Sequence, residues 1–255
     1  MKKTLIAAAV VALSVSSAAN AAAVSTIDLF STNQAQLIDQ TVGGSYIQSQ
    51  VGSAGDTSIL GGYRDIGVNL LTNGGNSNRA AKTDVTNGQF NFSTDTLTTG
   101  TGFVRWDGVN SGAAINTTGL GGLNLLPLSS FALDIIFSDA GFRFDLEAYT
   151  DATHWSKIQL LSNQHLVPFT SLISFSAFGL CGFVGPTVSV TCGSGGAVDF
   201  ANLGALQAVI DPLGGSTSVD LTLGPVTAVP EPGSLALVGL GLLGVGAIRR
   251  RFAAK

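Results

Sequence analysis

The chain has few of the residues on which metal and nucleophilic chemistry depends. Its 255 residues include two cysteines and two histidines. His154 and His165 have no cysteine nearby and no second histidine at helical spacing, so a zinc site has little support. The sequence also lacks a Gly-x-Ser-x-Gly nucleophile elbow. A Ser-His-Asp triad from distant segments stays open, because triads are defined by geometry and not by order. Solvated loop histidines are the default expectation.

Basic residues are scarce away from the two ends. Six of the 12 Lys and Arg, but one of the 16 Asp and Glu, lie in the end segments. The body between them has 15 acids against 6 bases, a formal charge of −9. Nucleic-acid partners need basic patches that neutralise phosphates, so nucleic acid is excluded as an expected partner.

The first 23 residues read as a secretory signal peptide. Lys2 and Lys3 form a basic start, Leu5 to Val15 is apolar, and Ala19-Asn20-Ala21 is one of several small-residue cleavage sites. We therefore predict that the chain is exported and that residues 1–23 take no part in the fold.

The last 27 residues, 229–255, combine three features in order. Val229-Pro230-Glu231-Pro232-Gly233 begins the segment, Leu235 to Ile248 has no charge, and Arg249, Arg250 and Arg251 follow. A helix of that apolar run spans roughly 21 Å, short of a hydrocarbon core of about 30 Å, so a buried core helix is an alternative. The run is apolar on every side, and arginine clusters stay on the cytoplasmic face, so we predict a transmembrane helix.

This order of features resembles the PEP-CTERM sorting signal of Gram-negative envelope proteins. The resemblance implies recognition by an exosortase, a membrane processing enzyme that would cleave near Pro230-Glu231-Pro232. The protein would then pass through an inner-membrane intermediate to the outer surface or extracellular matrix. An ordinary C-terminal anchor with a proline-rich neck is the alternative.

The body, residues 24–228, has the pattern of a single all-β domain. Short alternating segments lie between glycine and asparagine turns, and no long stretch has a helical period. Asn87-Gly88 predicts a tight hairpin. We also predict a hairpin around Asp139-Ala140-Gly141, joining strands Phe131–Phe137 and Phe142–Tyr149. Further strands are expected at Leu206–Asp211 and Ser218–Leu223.

The order of these segments resembles galactose-binding-like jelly-roll domains, among which many carbohydrate-binding modules are found. The resemblance implies a jelly-roll-like antiparallel β-sandwich, with the signal peptide before it and the transmembrane helix after it. The resemblance is one of pattern and includes no invariant motif.

Cys181 and Cys192 are predicted to form a disulfide. Paired cysteines in an exported chain are usually oxidised, and Gly185-Pro186 marks a turn between them. Closing so small a loop contributes on the order of 3 kcal/mol.

Two tryptophans are the candidate ligand residues. Apolar sugar faces lie well on exposed indoles while neighbouring polar groups bind the hydroxyls, which singles out Trp155 and the pair Trp106 and Asp107. A tryptophan in a β-sandwich is more often a core residue, and Trp106 lies in a predicted strand.

Asp134, Asp145 and Glu147 are expected on the outer face of one hairpin. Three carboxylates could hold a structural Ca²⁺ or supply a glycosidase pair. Cross-strand ion pairs on a solvated face are the more common arrangement, so no cofactor is expected.

These features together predict a non-catalytic, exported β-sandwich with a structural or adhesive role in an exopolysaccharide matrix. A carbohydrate-binding module with a defined sugar site is the main alternative, and an extracellular glycoside hydrolase is a further one.

Overall fold

A computed structural model describes residues 25–109 and 114–230. The predicted signal peptide, most of the sorting motif, the apolar run and the arginine cluster lie outside these residues. Within them, no helix has the length and apolar character needed to cross a membrane.

The described residues form fourteen strands and two short 3-10 helices, Leu60–Gly62 and Phe175–Gly179. The strands are β1 (Ser25–Asp28), β2 (Gln34–Asp39), β3 (Ile47–Gly52), β4 (Tyr63–Thr72), β5 (Ala81–Thr86), β6 (Gln89–Thr94), β7 (Thr99–Trp106), β8 (Ser130–Ser138), β9 (Phe142–Tyr149), β10 (Trp155–Ser162), β11 (Phe169–Ser174), β12 (Val188–Cys192), β13 (Ala205–Ile210) and β14 (Asp220–Val229).

The strands make two seven-stranded antiparallel sheets. Sheet A has the order β11-β8-β14-β6-β5-β2, with β1 also paired to β14, and sheet B has the order β12-β10-β9-β13-β7-β4-β3. Apolar residues from both sheets meet in one continuous core. The all-β sandwich expected from the sequence is confirmed.

Period-two alternation defines the core face where the strands are regular. In β9, Phe142, Phe144, Leu146 and Ala148 are all buried, because alternate side chains point to the same face. The predicted hairpin at Asn87-Gly88 also forms, joining β5 to β6. Asn87 and Gly88 have φ values of 53° and 75°, the positive values that a type I′ turn requires.

The predicted hairpin between β8 and β9 is wrong. Strand β8 pairs with β11 and β14 in sheet A, whereas β9 pairs with β10 and β13 in sheet B. The Asp139-Ala140-Gly141 turn therefore carries the chain from one sheet to the other. The alternation of buried and exposed side chains that is typical of a strand also fails at the end of β8, where Phe137 is 36% exposed. The register against β14 shifts there by a β-bulge, which changes the face that a side chain points to.

Strand β14 extends further than predicted, to Val229. Val229 pairs with Ser130 of β8, and its carbonyl accepts a hydrogen bond of 2.9 Å from Ser129 N. Strand β1 pairs with the same end of β14, with Ser25 opposite Ala228. The first and last described strands are therefore neighbours in sheet A.

The predicted disulfide is confirmed. Cys181 and Cys192 are bonded, with their Cα atoms 5.3 Å apart. The bond ties the segment after the second 3-10 helix to the end of β12, an edge strand of sheet B.

Candidate functional site on the outer face of sheet B

A row of polar side chains crosses the outer face of sheet B, the face turned away from the core. Each member is the cross-strand partner of the next, so six strands bring together residues far apart in sequence. Since paired residues share a face, the register alone aligns them. We call this set the polar row: Lys157, Glu147, Gln207, Arg105, Asp65 and Gln50.

Hydrogen bonds connect the middle of the polar row. Arg105 Nε donates to Gln207 Oε1 at 2.6 Å, and Gln207 Nε2 donates to Glu147 Oε2 at 3.0 Å. The Tyr149 hydroxyl donates to the same Glu147 oxygen at 2.7 Å. The Arg105 guanidinium also lies 4.4 Å from the centroid of the Phe103 ring, a cation–π contact. These side chains are therefore oriented by the protein itself.

Two aromatic rings lie at one end of the polar row. Trp155 and Tyr149 are cross-strand partners, with ring centroids 6.1 Å apart and planes tilted by 35°. Both are half-buried. A Cβ atom on Gly193 would lie 2.6 Å from the indole nitrogen, so this glycine packs closely on the edge of Trp155. Burial, and then the Glu147 carboxylate, raise the pKa of Tyr149, which keeps its hydroxyl protonated as a donor.

A second polar cluster adjoins the row. Gln159 Nε2 donates to Asp145 Oδ1 at 2.9 Å, and Lys157 Nζ lies 3.5 Å from Asp145 Oδ2. Arg143 Nη1 donates to Gln159 Oε1 at 2.9 Å. The cluster adds donors and acceptors beside the Glu147 segment of the row.

The three carboxylates that the sequence suggested as a Ca²⁺ site do not come together. Asp145 and Glu147 share the outer face of sheet B, but Asp134 lies in sheet A, where it accepts a hydrogen bond of 2.6 Å from Thr170 Oγ1. Among residues 25–109 and 114–230, no three His, Cys, Asp or Glu side chains are close enough together to hold a metal ion.

The prediction of Trp106 and Asp107 as surface ligand residues is wrong. Trp106 is 1% exposed, and its indole N–H donates to Asp28 Oδ2 at 2.8 Å in the interior. Asp107 is fully buried, and its Oδ2 accepts a 2.6 Å hydrogen bond from Asn116 N. Neither residue can present a surface to a sugar, because both are buried.

Asp65 is a titratable member of the polar row that sequence reasoning missed. It is 3% exposed. Its pKa is raised to about 7, first by burial and then by the nearby negative charge of Asp107. The sequence did indicate that polar residues lie on the outer face of this sheet. If Trp106 points into the core, then Arg105 and Asp107 must point away from it.

The histidines lie apart from this face. His154 is on an exposed loop, where its Nδ1 lies 3.0 Å from Asp151 Oδ2. Hydrogen bonds from the backbone N–H groups of His154 and Thr153 lower the pKa of Asp151. The His165 ring packs against Phe169 of the edge strand β11, with centroids 4.1 Å apart and planes tilted by 39°.

Comparison with protein families identifies the C-terminal segment. The model for the PEP-CTERM protein-sorting motif matches residues 228–251. The chain carries a PEP-CTERM sorting motif. This confirms the resemblance seen in the sequence, and the PEP-CTERM motif marks an exported protein sorted at the membrane by an exosortase. The comparison with curated proteins found no match.

Several solved structures are similar to the body. The solution structure of CtCBM11 has 12% identity and a TM-score of 0.44, covering 84% of this chain and 99% of that one. The family 11 carbohydrate-binding module from Clostridium thermocellum, in complex with a β-1,3-1,4-mixed-linked tetrasaccharide, has 11% identity and a TM-score of 0.39 over 81% and 95%. A CBM29-2 mutant, D114A in its own numbering, has 9% identity and a TM-score of 0.32 over 72% and 86%.

Proposed function

We propose that this protein is delivered to the outer surface of a Gram-negative cell, where its body binds a polysaccharide of the extracellular matrix. Export, insertion in the inner membrane and exosortase processing at the PEP-CTERM motif bring it there. The binding surface is the outer face of sheet B, and the role is adhesive or structural and not catalytic.

One observation carries the binding proposal: the Tyr149 and Trp155 rings adjoin a hydrogen-bonded polar row. The C–H faces of sugars pack on aromatic rings, while carboxylates, amides and guanidinium groups bind hydroxyls. Gln207 and Arg105 are 8% and 5% exposed, so they hold the half-buried Glu147 carboxylate in place and do not contact a ligand themselves. Because Glu147 is already oriented, a ligand loses little free energy in ordering it.

The charge of the body favours a neutral glycan. With a formal charge of −9 between its two end segments, the body repels polymers rich in carboxylates, and the repulsion acts on approach as well as on contact. Uronate-rich chains are therefore expected to bind more weakly than neutral ones.

A dedicated carbohydrate-binding module with one defined sugar site is the second candidate. The half-buried position of Trp155 favours it, since a ring fixed by its neighbours selects a ligand more sharply than a mobile one. A glycoside hydrolase is less favoured. The carboxyl group with a pKa near neutrality, Asp65, and its neighbour Asp107 are both buried, so no substrate reaches them.

The test is a set of binding isotherms for the mature body against soluble neutral and acidic polysaccharides. Saturable binding to a neutral glycan is expected, and Trp155→Ala should weaken it at least tenfold. Phe137→Ala is the matched control, because Phe137 is a partly exposed aromatic residue on sheet A. Equal loss in both variants, or no binding to any glycan, would contradict the proposal.

A further inference from the structure

A cavity lies between the two sheets, away from the polar row. It has a volume of about 230 Å³. Five strands from both sheets contribute to its wall, and most of the lining is aliphatic or aromatic. The lining residues are Leu133, Ile135, Phe142, Phe144, Leu160, Leu161, Ser162, Asn163, His165, Phe169, Ser171, Ile173, Leu221 and Leu223.

The cavity is open to solvent on one side, where Leu161 and Phe169 are 50% and 36% exposed, and it is larger than the voids found inside proteins. Interiors are packed like organic crystals, with few voids larger than a water molecule. Water gains little from the apolar wall, because a buried water needs two to four polar partners. A dry cavity of about 150 Å³ lined by Leu, Ile and Phe binds benzene. The larger volume here accepts an apolar group of greater size.

Three of the four polar lining residues, Ser162, Asn163 and His165, lie at the end of β10 and in the segment that leads from it to β11. The fourth, Ser171, lies on β11, and the remaining lining is apolar. The same segment exposes two consecutive apolar residues, Leu166 at 61% and Val167 at 73%. The cavity therefore combines an apolar wall with hydrogen-bonding groups on one stretch of chain, which is the arrangement that fits an amphiphile.

The shape and charge of the cavity restrict the class of ligand further. Two stacked sheets lie about 10 Å apart, so the space between them is a slot that suits a linear chain. The lining includes neither Lys nor Arg, and the body is strongly acidic, which disfavours an anionic headgroup.

We propose that this cavity binds the acyl chain of a neutral, single-chain amphiphile. The chain lies between Leu133, Phe144 and Leu223, and hydroxyl groups of the head bind Ser162 and Asn163 at the opening. This site is independent of the polysaccharide surface, since the two lie on opposite sides of sheet B.

The test uses glycerol monooctanoate, a neutral monoacyl probe, titrated calorimetrically below its micellar concentration into the mature body. One saturable site is expected. Ser171→Phe, which points a ring into the cavity from β11, should weaken binding at least tenfold. Leu172→Phe is the matched control, because Leu172 is the next residue on the same strand and is 55% exposed. No saturable binding, or equal binding to both variants, would overturn the proposal.

A measurement on the unmodified body covers the case in which Ser171→Phe fails to fold. Methyl NMR spectra during the titration should show shifts at Leu133 and Leu221, and none at Leu213, which is 67% exposed. Shifts confined to Leu166 and Val167 would mean adsorption on the surface and would overturn the proposed site.

Discussion

Asp28 accepts hydrogen bonds from three different residues in the interior. Arg64 Nη1 lies 3.0 and 3.2 Å from its two oxygens, Trp106 Nε1 donates at 2.8 Å, and Phe30 N donates at 2.7 Å. Burial raises the pKa of Asp28 and lowers the pKa of Arg64, and their mutual attraction opposes both shifts. Each charge is therefore tolerated in the core only because the other is there.

Replacing Arg64 should destabilise the protein strongly. In Arg64→Met the Asp28 carboxyl loses its counter-charge while both positions remain buried, so we expect a loss of about 3–5 kcal/mol in the free energy of unfolding, measured with denaturant. Lys82→Met is the control. Its ion pair with Asp95 is partly exposed, and its loss should cost about 1 kcal/mol or less. Equal losses of unfolding free energy in the two variants would show that the buried ion pair contributes no more than the exposed one.

Asp65 should make stability depend on pH near neutrality. Its pKa is raised from 3.8 to about 7 in the folded protein, so the folded state binds the proton more tightly than the unfolded state. The resulting stabilisation is complete below about pH 4 and is lost as the pH rises through 7, amounting to about 4 kcal/mol at most.

Asp65→Asn isolates this effect, because asparagine keeps a donor towards Asp107 but does not titrate. The difference in unfolding midpoint between the variant and the wild type should move in favour of the variant as the pH rises from 5 to 9. A constant difference over that range would show that Asp65 titrates normally.

Trp106 illustrates what a sequence can and cannot say about a single residue. Its place in a strand was predictable, and core burial is common for tryptophan in β-sandwiches. Its burial beside Asp28 and Arg64 was not, because the ion pair joins residues 36 positions apart. The polar row was hidden for the same reason. Arg105 and Gln207 are 102 positions apart and meet only through the register of β7 and β13.

At the scale of strands, local sequence patterns predicted where a strand lies better than which strand it pairs with. β9, β13 and the start of β14 follow from alternation, and the β5–β6 hairpin follows from the turn chemistry of Asn87-Gly88. The Asp139-Ala140-Gly141 turn had the same local pattern as a hairpin turn. A short turn can either pair two strands or carry the chain across a sandwich, and the outcome depends on which distant strands, here β14 and β13, occupy the neighbouring positions.

Strand β14 should be indispensable. It pairs with β8, β6 and β1, so its removal would expose three strand edges and much of the core. A chain ending at Pro230 should show the far-UV circular dichroism and protease resistance of a folded β protein. A chain ending at Val219 should show neither. Folding of the shorter chain would contradict the pairing described for sheet A.

The disulfide should contribute on the order of 3 kcal/mol through its effect on the unfolded chain. Reduction of Cys181–Cys192 is therefore expected to lower the free energy of unfolding by that amount. The double variant Cys181→Ala, Cys192→Ala should have the stability of the reduced protein and should not respond to reductant. A reductant effect that persists in the double variant would have another cause.

At the scale of the molecule, the two sheets carry different features. Sheet A contains β1 and β14, the strands next to the predicted signal peptide and the PEP-CTERM motif, and Val229 is at once the last residue of β14 and part of that motif. Sheet B carries the polar row and the aromatic pair on its outer face. Removal of the tail at the motif therefore leaves every strand of the body in place.

The most direct test of this account is the intact mass of the protein recovered from the outside of the cell. The predicted species begins near residue 24 and ends near Pro230 to Pro232, without the apolar run 235–248 or the arginines that follow it. An extracellular protein that keeps residues 235–255 would contradict the account, because the tail would then belong to the working protein and not to its delivery.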